Sequence, residues 1–324
     1  MSRLGSRRGL IALALMSASA CGGPSIRPDP VSGLTLTCPS NRSVESPNGG
    51  AVTVTFDQPQ ASGGAAPVTT TCTPQSGTQF AVGSTSVACQ ARDASSQVAS
   101  CGFSVAVQAT PQLQAARFLA FGDSITAGVV SEPLSMMIVS PPESYPFVLQ
   151  SRLGARYRQQ SPIVLNEGNP GELASVEGIQ RFRSVLLRHR PEIVLIMEGT
   201  NDLGFAQNGS NVAINALRAM IVEARSQQVR LALATIPPQR AGGAKRRDAT
   251  AMMVPAFNDR VRALAGSEGV PLFDVYQAMK DDPSLIGIDD LHPTPRGYDV
   301  MAGVFFEGIR THFETRPAFG WRAQ

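Results

Sequence analysis

From residue 117 onward, short apolar runs alternate with longer stretches of helical spacing, and this alternation constrains the fold more than any other feature of the chain. Residues 117–121, 163–166, 193–197, 230–235 and 270–274 read as strands, and residues 145–154, 173–190, 211–228, 250–266 and 297–313 as helices. The run Ile193-Val194-Leu195-Ile196-Met197 is apolar throughout, as expected of a strand buried on both faces. Repeated strand–helix units predict a parallel sheet covered by helices through right-handed crossovers. A domain of roughly 200 residues buries enough surface to fold unaided. No Cys lies beyond position 101.

In such folds the reactive groups gather past the carboxyl ends of the strands, so the residues after each strand carry the functional reading. The first strand runs into Gly122-Asp123-Ser124-Ile125-Thr126-Ala127-Gly128. A nucleophilic Ser needs that exposure and backbone N–H groups aimed at an incoming oxyanion. The second leads to Asn166-Glu167-Gly168-Asn169-Pro170-Gly171-Glu172, in which Gly171 offers a bare N–H. The third leads to Glu198-Gly199-Thr200-Asn201-Asp202, in which Asn201 carries an amide donor. Near the end stands Asp289-Asp290-Leu291-His292-Pro293. A carboxylate three residues before an imidazole falls on the same side of one turn. There it fixes the ring tautomer while the other nitrogen faces the Ser. That spacing favours Asp289 over the adjacent Asp290.

These blocks, in this order, resemble the SGNH (GDSL-type) hydrolase superfamily over about residues 117–310. The resemblance implies a three-layer α/β/α, flavodoxin-like fold with a parallel five-stranded sheet in the order 2-1-3-4-5, and serine-dependent hydrolysis of carboxylic esters. Carried over residue by residue, it makes Ser124 the nucleophile, His292 the base and Asp289 the acid that orients it. The Ser124 N–H, Gly171 and Asn201 form the oxyanion hole. Ser144-Tyr145-Pro146 and Gly297-Tyr298 match flanking positions of the family. Two positions depart from the pattern: Ile125 follows the Ser in place of Leu, and Asp290 stands where the family often has Gly.

Other polar residues read as structural. Asp123 and Asp202 support their loops, His189 is a cation at a helix C-terminus, and His312 is solvated. Lys245-Arg246-Arg247 is a solvated charge run. With three His and no His-Glu-x-x-His, neither a metal nor a cofactor is expected. No Gly-x-Ser-x-Gly elbow is present. The loop from Val129 to Pro142, with Met136-Met137-Ile138-Val139, is either an acyl-binding wall or lid, or packs on the core. The loop from Pro237 to Pro255 borders the cleft.

Before residue 109 the composition differs. Setting Cys21 aside, Cys38, Cys72, Cys89 and Cys101 lie within 64 residues rich in Thr, Val, Ser, Gly and Pro. Residues 51–56 and 103–107 alternate with period 2, which reads as a small all-β sandwich. Four Cys allow three pairings, and spacing does not choose among them. The runs 80–89, 91–95 and 101–107 resemble the hyalin-repeat (HYR) module, an immunoglobulin-like fold, over residues 34–108. The resemblance implies the pairs Cys72–Cys89 and Cys38–Cys101. A spacer role is favoured over glycan binding, because the segment has no Trp or Tyr to stack on a sugar.

Residues 1–20 read as an export signal. Arg3, Arg7 and Arg8 precede the apolar stretch Gly9–Met16 and the small residues 17–20. Small residues before Cys21 resemble the lipobox of bacterial lipoproteins, which implies lipidation of Cys21 and a membrane anchor without a span. An ordinary cleaved signal is the alternative. Those three Arg account for the whole formal charge of +3, so nothing argues for nucleic-acid binding. The expected organisation is a signal over 1–20, a linker over 21–33, the HYR-like module over 34–108, a linker over 109–116 and the hydrolase domain over 117–324. The expected protein is a monomeric esterase of the bacterial cell envelope, lipid-anchored at the outer membrane or cell surface, or else secreted or periplasmic. It would act on small esters, O-acylated glycans or lipids. An acyltransferase to carbohydrate and a binding lipoprotein with an inactive hydrolase scaffold are the alternatives.

Overall fold

The computed structural model describes residues 33–132, 136–205, 208–245 and 247–315. The expected signal and Cys21 lie outside these residues. The described chain divides into two units, residues 33–44 with 51–107, and residues 45–50 with 108 onward.

In the first unit, the strands Arg42–Ser46, Val98–Ala109, Gly83–Arg92 and Thr69–Thr73 form one sheet in that order. Two further pairs join Val52–Val54 to Thr78–Phe80 and Thr35–Thr37 to Gln60–Ser62. Alternate residues of the longer strands point inward. Val54, Phe56, Phe80, Val87, Phe103 and Val105 make the core. Phe56 sits edge-on to Phe103 at 4.9 Å between centroids.

Disulfides join Cys38 to Cys101 and Cys72 to Cys89, the pairing the resemblance implies. Cys72 and Cys89 are directly opposite in the antiparallel register, which brings their Cα atoms to 4.0 Å. Closing loops of these lengths removes about 4 and about 3 kcal/mol of chain entropy from the unfolded state. Those are large contributions for a core of nine buried residues.

The second unit carries a five-stranded parallel sheet. Its strands are β1 (Arg117–Gly122), β2 (Ile163–Gly168), β3 (Ile193–Met197), β4 (Arg230–Ala234) and β5 (Leu272–Phe273), in the order β2-β1-β3-β4-β5. All five residues of β3 are buried. The helices are α1 (Ser124–Ala127), α2 (Tyr145–Arg156), α3 (Ile179–His189), α4 (Thr200–Phe205), α5 (Gly209–Ser226), α6 (Asp248–Glu268), α7 (Val275–Met279) and α8 (Pro295–Phe313). Helix α2 packs on α8, and Tyr145 stacks on Phe305 at 4.4 Å. Helices α3, α5 and α6 pack on one another as a second group.

Three expectations are corrected. The helix expected over 173–190 opens with a wider turn, Ala174–Gly178, before α3 begins. The loop expected to run to Pro255 ends at Arg247, because Pro255 lies inside α6. Proline removes one helical hydrogen bond, but the buried stripe Val254, Phe257, Val261 and Leu264 holds the helix to the core. The segment expected as a loop from Val129 contains a hairpin, Val129–Glu132 with Met136–Val139.

Two glycines admit the turn after β1. A Cβ on Gly168 would lie 2.0 Å from the Ala127 nitrogen, and one on Gly122 would lie 2.6 Å from the Met197 carbonyl oxygen. The ends of β1 and β2 therefore pass so close to α1 that only hydrogen fits.

Both disulfides among the described residues lie in the first unit, and the two hydrophobic cores share no residue. Scanning calorimetry of the oxidised and reduced protein is expected to show reductant lowering one transition and leaving the larger-enthalpy one in place. A common shift of both would contradict it.

Candidate active site

Ser124 is the first residue of α1, and the Asp123 carboxylate caps the helix by accepting the Ile125 N–H at 2.8 Å. Gly128 closes the turn in the left-handed region, φ 90°, with its N–H reaching back to the carbonyls of Ser124 and Ile125. As the first helical residue, Ser124 has an N–H without a helical acceptor.

Across the cleft, His292 Nε2 stands 2.8 Å from Ser124 Oγ, and His292 Nδ1 stands 2.5 Å from Asp289 Oδ2. All three residues are buried. Asp289 Oδ1 also accepts the N–H groups of Leu291 at 3.2 Å and His292 at 3.0 Å. Burial opposes ionisation of Asp289, but the His292 ring and these N–H groups outweigh it and hold the carboxyl at about 2. Its stabilising contribution is therefore present above about pH 4 and is lost as pH falls from there toward 2.

Asp290 points elsewhere. Its carboxylate accepts from Arg240 at 3.2 Å and from the Lys245 N–H at 2.8 Å, and a Cβ on Gly243 would fall 2.1 Å from its Oδ1. Its φ is +65°. A left-handed backbone favours glycine, which accounts for the Gly common here in the resembling family. The Asp tolerates the conformation while tying the loop around 240–245 to the turn that bears His292.

The third side of the site is the loop after β2. Gly171 adopts φ +83° and faces the same cavity as Ser124, Asn201 and His292. Asn201 Nδ2 donates one hydrogen to the Glu172 carbonyl at 2.8 Å, which leaves the second for the cavity. Asp202 accepts the N–H groups of Ala174 at 2.8 Å and Ser175 at 3.1 Å, the supporting role expected of it.

Beneath this loop lies a group of charges that spacing along the sequence did not reveal. Arg181, on α3, pairs with Glu172 and Glu167 and donates to the carbonyls of Gly122 at 3.2 Å and Glu167 at 2.8 Å. Its guanidinium lies 4.0 Å from the Phe121 ring centroid. His189 ends α3, and its Nε2 stands 2.5 Å from Glu167.

Glu198 and Asp123 are also buried. Both Glu198 oxygens and Asp123 Oδ2 have no hydrogen-bond partner among the described residues. Burial, then the Asp123 and Glu172 charges, push Glu198 well up. Burial pushes Asp123 up to about 6, against the Ile125 N–H, the nearby Thr200 hydroxyl and the His292 ring.

The remaining wall of the Ser124 cavity, about 320 Å³ in volume, is formed by Val129, Met137, Val139 and Pro170. In the hairpin register Val129 opposes Val139 and Ser131 opposes Met137, so these four share one face. The hairpin is rooted at its base, where Ser140 N–H donates to the Gly128 carbonyl at 2.8 Å and Tyr298 OH to the Val129 carbonyl at 2.6 Å. The hairpin does both things expected as alternatives: Val130 packs into the core, while Val129, Met137 and Val139 line the cavity. Met137 is 62% exposed, so its side chain belongs to the cleft rather than the core. Among the described residues, no group of His, Cys, Asp or Glu is arranged to hold a metal ion. No described helix is long and apolar enough to cross a membrane.

Comparison with known proteins follows this geometry. The model of the GDSL-like Lipase/Acylhydrolase family matches residues 120–300, and that of the HYR domain matches residues 34–107. No match is found among curated proteins. The native aryl esterase of M. smegmatis is similar in structure, with TM-score 0.54 and 21% identity over 61% of this chain and 99% of its own. So is a lipase/acylhydrolase from Enterococcus faecalis, with TM-score 0.51 and 24% identity over 62% and 97%. Est24, a carbohydrate acetylesterase from Sinorhizobium meliloti, gives TM-score 0.52 and 18% identity over 60% and 99%.

An acid whose folded pKa is raised favours the fold while protonated, so the Asp123 contribution falls as pH rises from about 4 through 6. The cost at neutral pH is about 3 kcal/mol. Asp123→Asn keeps an oxygen for the Ile125 N–H, and it is expected to gain on wild type as pH is raised across that range. Calorimetric unfolding at pH near 4.5 and near 7.5 checks this, and a gap of equal size at both would contradict it.

Proposed function

Because the chain belongs to the GDSL-like lipase/acylhydrolase family and is an ester hydrolase, we propose that Ser124 is its nucleophile, His292 the general base and Asp289 the acid that orients the imidazole. The observation that carries this reading is the unbroken chain from Ser124 Oγ to His292 at 2.8 Å and from His292 to Asp289 at 2.5 Å. Asp289, ionised down to about pH 2, favours the imidazole tautomer that leaves Nε2 free to accept the Ser124 proton.

Ser124 Oγ attacks the ester carbonyl carbon while Nε2 takes its proton. The carbonyl oxygen becomes an oxyanion held by the N–H groups of Ser124 and Gly171 and the second hydrogen of Asn201 Nδ2. Collapse of the intermediate breaks the bond to the alcohol oxygen, which receives the proton from His292. Water, deprotonated by His292, then releases the acyl group and restores Ser124. The acyl group lies against Val129, Met137 and Val139, a wall suited to a small or medium apolar chain.

We further propose that the enzyme acts at the cell envelope, anchored through Cys21. Support comes from the signal-like residues 1–20 and from two disulfides, which form and persist where conditions are oxidising.

Hydrolysis of p-nitrophenyl esters from acetyl to long acyl tests the reading. Ser124→Ala is expected to fall below detection, and Asn201→Ala to lose about 10²–10³-fold in kcat. Wild-type turnover by either variant would refute its assigned role. Leu or Ala at Met137 is expected to move the acyl-length optimum, and an unchanged profile would remove the hairpin from the acyl site.

A further inference from the structure

The cleft does not end at the acyl wall. Asn201, Phe205, Arg247 and Leu291 also line a second cavity of about 310 Å³, which Gln239 and Thr250 line as well. The two cavities differ in chemistry. Both share Asn201 and Arg247, but the first adds the apolar Val129, Met137, Val139 and Pro170, whereas the second adds the polar Thr200, Gln239 and Thr250. Gln239 Oε1 accepts the Thr250 hydroxyl at 2.6 Å, so the end of Gln239 left unbonded is its amide NH₂. Arg247 commits Nε to the Asp289 carbonyl at 3.0 Å, which fixes the plane of the guanidinium and leaves its two terminal nitrogens.

Among the described residues no Asp or Glu lines either cavity, while Arg247 lines both and Lys245 lines the second. The two carboxylates of the turn that bears His292 are engaged elsewhere, Asp289 with His292 and Asp290 with Arg240. A guanidinium anchored through Nε presents a terminal fork of two nitrogens, the geometry that matches a carboxylate.

The position of the cavity assigns its role. The proposed oxyanion donor Asn201 stands at the seam of the two cavities, so an ester carbonyl placed there directs its acyl and alcohol substituents to opposite sides. The alcohol oxygen must take its proton from His292, and Leu291 and Arg247, which line the first cavity together with His292, also line the second. We propose that the second cavity is the alcohol subsite and that it selects esters whose alcohol part carries a carboxylate, with Arg247 as the specificity-determining residue. The inference rests on the ester-hydrolase site at Ser124. Its substrates are acylated hydroxy acids, either sugar acids of the uronate type or aromatic hydroxy acids.

The experiment compares kcat/KM within two isosteric pairs. One pair is meta- or para-acetoxybenzoate against the matching acetoxybenzamide. The other is an O-acetylated glucuronate against its amide. The expected result is a preference for the anion of about tenfold in at least one pair, the low end for a charge-assisted bond at a half-exposed Arg. The pair that shows it identifies the alcohol class. Arg247→Gln is expected to bring the ratio to about one, Arg247→Lys to keep part of it, and added salt to reduce it in wild type. A wild-type ratio of one or less in both pairs, or a ratio unchanged in Arg247→Gln, overturns the proposal.

Calorimetric binding of the alcohol products and their amides to wild type reads the subsite without turnover. Equal or weaker binding of both acids also overturns it. Failure of Ser124-dependent hydrolysis of p-nitrophenyl acetate would instead strike the underlying reading, and the binding comparison keeps the two failures apart.

Discussion

The architecture of the site depends on one half-buried cation. Arg181 is the counter-charge in a region where Glu167, Glu172, Glu198 and Asp123 gather within the ends of β1, β2 and β3. Removing one member of a buried ion pair strands the other, at a cost of several kcal/mol. Here the stranded group would be Glu172, whose side chain is fully buried and whose backbone carbonyl holds Asn201. The same guanidinium ties off the carbonyls of Gly122 and Glu167, where two strands end, and covers Phe121. One side chain on α3 thus fixes three of the segments that converge on Ser124. None of its atoms belongs to the triad geometry.

The adjacent carboxylates of Asp289 and Asp290 show how backbone conformation divides labour. Both lie within one turn and both are buried. The left-handed φ at Asp290 swings its side chain away from the imidazole and toward Arg240, while Asp289 accepts the N–H groups of the turn and meets Nδ1. Identical chemistry in neighbouring positions is thereby sent to opposite sides of the loop. One acid serves the imidazole, and the other binds the loop that carries the polar side of the cleft.

Much of this was legible in the amino-acid sequence, and the parts that were not share a cause. The strand–helix alternation and the blocks around Ser124, Gly171, Asn201 and His292 are local signals, because each depends on a few consecutive residues at a strand end. The i, i+3 spacing correctly singled out Asp289 for contact with His292. The Arg181 group was invisible because its members lie on separate elements, between residues 122 and 198, and meet only through the fold. Arg247 read as part of a solvated run, since nothing in Lys245-Arg246-Arg247 reports that Lys245 and Arg247 line a cavity. The hairpin read as a loop because Met136-Met137-Ile138-Val139 is continuously apolar and lacks the alternation of a half-exposed strand. Gly168 had a signal that could have been used. It ends a strand opposite the turn bearing Ser124, where close backbone approach leaves no room for a side chain.

The hairpin at Val129–Val139 has a consequence for how such an enzyme diversifies. Its roots are backbone bonds to Gly128 and from Tyr298, which are indifferent to the side chains farther along it. Its contribution to the cleft is Val129, Val139 and Met137, on the face they share with Ser131. Ser131 is tied to the proton path, since its hydroxyl accepts the Asp289 N–H at 3.4 Å, but the exposed Met137 and Val139 can be rewritten by selection without disturbing that path or the sheet. Under the proposed function, acyl preference is then free to drift between lineages faster than the chemistry it serves.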